Sequence, residues 1–184
     1  MSLDPSMTNE DSPPDLWVFG YGSLMWNPGF RYKEKLSGQI DGFHRSLCIL
    51  STSYRGTPDN PGLVLGLDEG GTCEGLAFCI APENIEAAIT YLDDREQINQ
   101  VYCPVHVDVA LEDGRVINAC TFVARKSHDQ YVNFPIDKQA QLVARGHGDR
   151  GSALDYLSST IERFDNFGFD EQELRTILAK AQNA

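Results

Sequence analysis

The chain has 184 residues, 41% of them hydrophobic and 10% aromatic, enough for one domain with a core of its own and too few for two comfortable ones. With 15 Lys and Arg against 27 Asp and Glu, its net charge of −12 argues against a nucleic-acid surface or an anionic membrane as partner. That charge also disfavours long-range attraction of an anionic small molecule, so any carboxylate bound here must be met by local donors.

Residues 1–14 are polar, acidic and proline-containing and carry too little apolar surface to fold. They are expected to be disordered, followed by a single domain over residues 15–184. Trp17, Val18 and Phe19 suit a buried strand, which ends in Gly20 and Gly22, where the backbone can bend sharply and approach a ligand closely. Residues 35–50 lead to a second strand centred on Leu47-Cys48-Ile49-Leu50. Residues 51–62, rich in Ser, Thr, Gly, Pro and Asn, form a long loop between strands. Two apolar runs, residues 63–67 and 74–80, flank Glu69-Gly70-Gly71-Thr72 and are expected to pair as a hairpin.

Pro82 opens a helix in which Ile85, Ala88, Ile89 and Leu92 form one apolar face, ending near Arg95. Strict alternation at Val105, Val107, Val109 and Leu111 predicts a half-buried strand, which Glu112-Asp113-Gly114-Arg115 turns back into residues 116–123. Three helices then follow, over about residues 138–145, 152–166 and 170–181. Asp170 and Glu173 have capping-box spacing at the last of them. Strands first and helices last make an α+β domain with a mixed sheet.

Cofactor chemistry leaves no trace in the pattern. Cys48, Cys73, Cys79, Cys103 and Cys120 lack Cys-x-x-Cys spacing and leave an odd thiol over, as expected of reduced thiols in the cytosol. His44, His106, His128 and His147 never fall at metal-ligand spacing, so no metal site is expected. Neither a phosphate loop, nor an apolar span of about 18 residues, nor a charged-then-apolar leader is present. A soluble, cytoplasmic protein without cofactor is the expectation.

Three stretches carry a resemblance. Phe19-Gly20-Tyr21-Gly22-Ser23-Leu24-Met25-Trp26, then Tyr54-Arg55-Gly56-Thr57-Pro58 with Pro61-Gly62-Leu63-Val64, then Tyr91-Leu92-Asp93-Asp94-Arg95-Glu96, resemble in the same order the signatures of the ChaC family, the glutathione-specific γ-glutamylcyclotransferases. The likeness spans roughly residues 16–164 and is thinnest after Asp113. It implies a small mixed β-barrel of about five to seven strands flanked by helices, with the active-site cavity near the first loop. It also implies cleavage of glutathione to 5-oxoproline and cysteinylglycine.

Such a cyclisation is intramolecular: the substrate's own α-amine attacks its γ-carbonyl, and neither metal nor covalent nucleophile is needed. One carboxylate between the attacking and departing nitrogens can serve as base and then as acid. The resemblance gives that role to Glu96, whose place at a helix C-terminus would raise its pKa. The alternative is a solvated helix-end glutamate. Asp93 and Asp94 point elsewhere on the helix and are read as solvent-facing or capping groups, and Arg95 is read as orienting the turn or pairing with one of them.

The same likeness assigns Tyr21, Gly22, Ser23 and Leu24 to the γ-glutamyl part of the substrate, with backbone amides for a carboxylate or an oxyanion. The alternative for Ser23 is a turn hydroxyl bonded to its own backbone. Arg55 could present its fork to a substrate carboxylate or lie exposed on the surface. Tyr131 falls where the family tends to place a pocket tyrosine, in a poorly matching context. The segment at residues 146–152 departs from the family pattern while Asp155-Tyr156-Leu157 keeps it, which puts the peptide end of the pocket, and not the γ-glutamyl end, in question.

Other readings stay open at this point. They are a cyclotransferase for another γ-glutamyl peptide or amine, a non-catalytic γ-glutamyl-binding domain, and a cysteine hydrolase using Cys103 with His106 or His128.

Overall fold

Two strands far longer than average organise the chain. In the computed structural model, which describes residues 14–96 and 100–184 and of Glu96 the backbone only, β2 (Glu34–Ser51) and β3 (Gly62–Ile80) pair antiparallel along nearly their whole length. With β1 (Leu16–Gly20), β4 (Tyr102–Leu111) and β5 (Val116–Ala124) they close into a barrel of order β1-β3-β2-β4-β5. All neighbours are antiparallel except β1 and β5, which meet in parallel at Val18 and Cys120. The mixed five-stranded barrel implied by the resemblance is therefore present. The expected disorder of residues 1–14 lies, but for Pro14, outside the described residues.

The hairpin expected at residues 69–72 does not form: residues 62–80 are one continuous strand. Gly70 and Gly71 do adopt the positive φ values of 94° and 71° that motivated a turn. They spend that freedom in a bulge opposite Gly42, where the register shifts between Asp41 and Phe43. A bulge bends and twists a strand without reversing it, and such bending lets strands of this length wrap a barrel.

Alternation places Val18 and Phe19 on opposite faces of β1. Phe19 joins Ile40, Leu67, Ala77, Val109 and Ala119, contributed by all five strands, to fill the barrel. Val18 faces outward onto Ala88 and Leu92 of α1 (Ile85–Glu96). The α1 contact face is narrower than expected: Ile85, Ala88 and Leu92 take part, whereas Ile89 is 46% exposed. Pro82 opens a 3-10 turn, Pro82–Asn84, that leads into α1.

A second core lies outside the barrel, under α2 (Ile136–Arg145), α3 (Ala153–Phe167) and α4 (Gln172–Gln182). Leu157, Ile161 and Phe164 recur at helical spacing and are buried against Leu47, Leu63 and Phe78 of the barrel wall. Each such side chain contributes about 1.5–3 kcal/mol of transfer free energy. Ser152 caps α3 by accepting a 3.0 Å bond from the Asp155 amide. The capping box expected at Asp170 and Glu173 is absent; the N-cap is Glu171 without a side-chain cap, and the Asp170 carboxylate accepts from the Gln172 side-chain amide at 2.7 and 2.8 Å. Between α2 and α3, β6 (His147–Gly148) and β7 (Gly151–Ser152) form a short separate hairpin.

Candidate active site

Where β1 leaves the barrel, the chain turns at once into a short 3-10 helix, Ser23–Met25. The Met25 amide donates back to the Gly22 carbonyl at 2.9 Å and the Asn27 amide to that of Ser23 at 2.9 Å. The amides of Gly22, Ser23 and Leu24 precede the first carbonyl that a helical turn could offer them. None of the three has a hydrogen-bond acceptor among the described residues.

The turn is held from behind and from the side by two arginines. Arg45, with a side chain 0% exposed, donates from Nε to the Tyr21 carbonyl at 2.6 Å. It also bonds the Glu74 carbonyl and the Glu171 carboxylate, its guanidinium lying 4.4 Å from the Phe164 ring centre. Because the Tyr21–Gly22 peptide is trans and planar, fixing its carbonyl on one side fixes the Gly22 N–H on the other. Arg95, on α1, reaches across to the Ser23 hydroxyl and to the Asn27 carbonyl, and its Nη1 lies 2.8 Å from both that carbonyl and the Tyr91 hydroxyl.

Two cavities adjoin this turn. A small one of about 90 Å³ is lined by Tyr21, Gly22, Ser23 and Leu24 together with Leu65, Tyr102, Phe122 and Tyr156. A larger, open one of about 630 Å³ is walled by Ser23, Tyr102, Tyr91, Asp94, Arg95, Tyr54 and Arg150, among others. Ser23 and Tyr102 stand in both walls, so the two spaces share a border. The tyrosines are themselves anchored on one residue: Tyr102 donates its hydroxyl to the Leu65 carbonyl at 2.7 Å, and the Leu65 amide donates to the Tyr156 hydroxyl at 3.2 Å.

Of the residues singled out from sequence, Tyr21, Gly22, Ser23 and Leu24 come together on the small cavity. Glu96 is the last residue of α1, directly after Arg95; its side chain lies outside the described residues. Asp93 and Asp94 are both exposed, Asp94 beside the larger cavity. Arg55 stands behind the wall: it stacks 5.3 Å from the ring centre of Tyr156 and donates to the carbonyls of Arg150 and Ser152. Tyr131 lines neither cavity: it sits behind the wall of the larger one, bridging β2 at Ile49, which lines that cavity as Gln130 does, and donates to Asp68 at 2.8 Å. Burial, then that bond to Asp68, pushes its phenol up to about 12.

Sequence reasoning passed over Tyr102, Tyr156 and Arg150. Tyr156 lay in a segment already noted for its family likeness, whereas Tyr102 carried no motif at all. Arg150 lay in the stretch noted for departing from the pattern. Alternation along β4 turns Cys103 toward the barrel side with Val105 and Val107, and leaves His106 exposed, bonded to Asn118. That separation removes the Cys103–His106 pair as a hydrolytic dyad. Among the described residues no three His, Cys, Asp or Glu side chains gather as a metal site, and no helix is long and apolar enough to cross a membrane.

A closed mixed barrel of five strands, flanked by helices and carrying a glycine turn on a cavity, defines a fold shared with a solved enzyme. The crystal structure of a yeast γ-glutamyl cyclotransferase specific to glutathione matches with a TM-score of 0.81 at 24% identity, over 93% of this chain and 97% of that one. Sequence narrows the class further. The ChaC-like protein model matches residues 16–183, and the chain belongs to that family. It is 36% identical to the glutathione-specific γ-glutamylcyclotransferase of Escherichia coli, over 98% of this chain and 79% of that protein. It is 31% identical to human glutathione-specific γ-glutamylcyclotransferase 1, over 81% of this chain and 69% of that one.

Proposed function

We propose that the chain is a γ-glutamylcyclotransferase that cleaves glutathione into 5-oxoproline and cysteinylglycine. The observation that carries this reading is the turn at residues 21–24, which borders a cavity with three amides whose hydrogen bonds no described protein group takes up. The γ-glutamyl part of the substrate occupies the small cavity and the cysteinylglycine part the larger one.

In the reaction the α-amine nitrogen bonds to the γ-carbonyl carbon, closing a five-membered ring, and the carbonyl oxygen takes up negative charge. Amides of Gly22 and Ser23 stabilise that oxyanion, fixed donors in a water-poor pocket being worth several kcal/mol. Glu96 accepts the amine proton and returns it to the cysteinyl nitrogen as the old C–N bond breaks. Position 96 suits the role, lying one helical turn beyond Leu92, which packs with Leu24 and Phe122 of the small cavity's wall. Tyr21, Leu24, Tyr102 and Tyr156 shape the pocket, and Arg55 acts through Arg150 and Tyr156. The reduced thiols fit a cytoplasmic location.

Incubation with glutathione, with 5-oxoproline and cysteinylglycine quantified together, tests the reaction. Equal yields of the two without free glutamate support cyclisation. Release of glutamate would mean hydrolysis, and tight binding of glutathione without any product would mean a binding domain. Parallel reactions with γ-glutamyl-alanine and γ-glutamyl-lysine test the preference for glutathione.

A further inference from the structure

We infer that Arg150 reads the C-terminal carboxylate of the substrate's peptide part, so that the enzyme favours γ-glutamyl peptides ending in a free carboxylate over amidated peptides and γ-glutamyl amines. The inference rests on the cyclotransferase reading and extends it to the other end of the substrate.

The chain carries a net charge of −12, yet the described residues that line the larger cavity have the opposite balance. The charged ones among them are Arg95, Arg150 and Asp94. Arg95 is engaged with the Ser23 hydroxyl, the Asn27 carbonyl and the Tyr91 hydroxyl. Arg150 is not: its guanidinium stacks 4.3 Å from the ring centre of Tyr54, and no carboxylate or carbonyl among the described residues accepts from it. A guanidinium lying on an aromatic face keeps its in-plane N–H fork available, the geometry that grips a carboxylate by two parallel bonds.

The backbone beneath that fork is fixed. The Arg150 amide donates to the Tyr54 carbonyl at 2.9 Å, the Asp149 amide to that of Ser53 at 2.8 Å, and the Arg150 carbonyl accepts from Arg55. Gly148 permits this contact, since a Cβ there would lie 2.2 Å from the Ser53 carbonyl oxygen. Arg55 is thus a positioning residue for Arg150. A cation held in this way keeps its backbone placed before substrate arrives, so little further ordering accompanies binding.

The test compares glutathione with its glycine C-terminal amide, in the wild type and in Arg150→Gln, an exposed substitution that should leave folding intact. In the wild type, kcat/KM for glutathione is expected to exceed that for the amide by about ten- to a hundredfold, expressed mainly in KM, as for a charge-assisted bidentate pair. Arg150→Gln should raise KM for glutathione by a similar factor and turn the two substrates over with nearly equal kcat/KM, and Arg150→Lys should restore part of the preference. A wild type that does not discriminate, or an Arg150→Gln enzyme that discriminates as the wild type does, overturns the inference while leaving the cyclotransferase reading intact. Absence of 5-oxoproline from both substrates with the wild type would overturn that reading and the inference with it.

Discussion

Replacing Arg45 by Met removes one guanidinium and strands three partners. The Tyr21 and Glu74 carbonyls lose the Arg45 donor, and each part-buried carbonyl deprived of such a bond costs about 1–2 kcal/mol. Glu171 loses its counter-ion; breaking a buried pair costs about 3–5 kcal/mol, but the Glu171 side chain is 22% exposed and can turn toward water, which reduces its share to about 1–2 kcal/mol. The methionine stem retains much of the packing against Phe164 and Phe169, so the cavity contribution is small. The expected loss is about 3–6 kcal/mol in urea unfolding followed by tryptophan fluorescence, with no change in denaturant slope. Arg45→Met combined with Glu171→Met should recover the Glu171 share and not the carbonyl share. A loss under about 1 kcal/mol, or complete recovery in the double variant, would refute the view that Arg45 holds the turn through its carbonyl.

Other outcomes follow from the same structure. Gly148→Ala forces a Cβ against the Ser53 carbonyl and the Gly56 amide; it should lower stability by about 1–3 kcal/mol and raise KM for glutathione, whereas wild-type values for both would contradict the close packing of the loop on the β6–β7 hairpin. Tyr131 titrates near 12 in the fold against 10.0 when unperturbed, so its folded state favours the neutral phenol. Its stabilisation is full below pH 10 and is lost as pH rises toward 12; the stability difference between wild type and Tyr131→Phe should shrink over that interval, and a constant difference would count against the Asp68 bond. Burial pushes the thiols of Cys48 and Cys73 up to about 12 and that of Cys79 to about 11. All three should resist iodoacetamide at pH 8 in the native protein and react in urea, and native labelling at the unfolded rate would contradict their burial.

How much of this was legible depended on distance along the chain. The turn at residues 21–24 could be read because its strand, glycines and serine are consecutive, and α1 because its apolar spacing is local. Barrel closure is a parallel meeting of residues 18 and 120, and no local pattern encodes it; the family likeness supplied it. The misplaced hairpin shows how local chemistry underdetermines outcome, since Gly70 and Gly71 have the backbone freedom of a turn and use it for a bulge. Tyr102 and Tyr156 come from different elements and meet at the small cavity, where both bond Leu65. Arg45 sits in a strand where its charge argues for exposure, and its burial is explained by partners distant in sequence, the Tyr21 and Glu74 carbonyls and Glu171, 126 residues away.

Glu96 bears the central claim most directly. Turnover of glutathione to 5-oxoproline by wild type and by Glu96→Gln, with glutathione binding measured calorimetrically in both, separates chemistry from affinity. A proton shuttle predicts that the variant binds glutathione within a few-fold of wild type and forms product at least about a hundredfold more slowly. Equal rates of 5-oxoproline formation by the two proteins would contradict it.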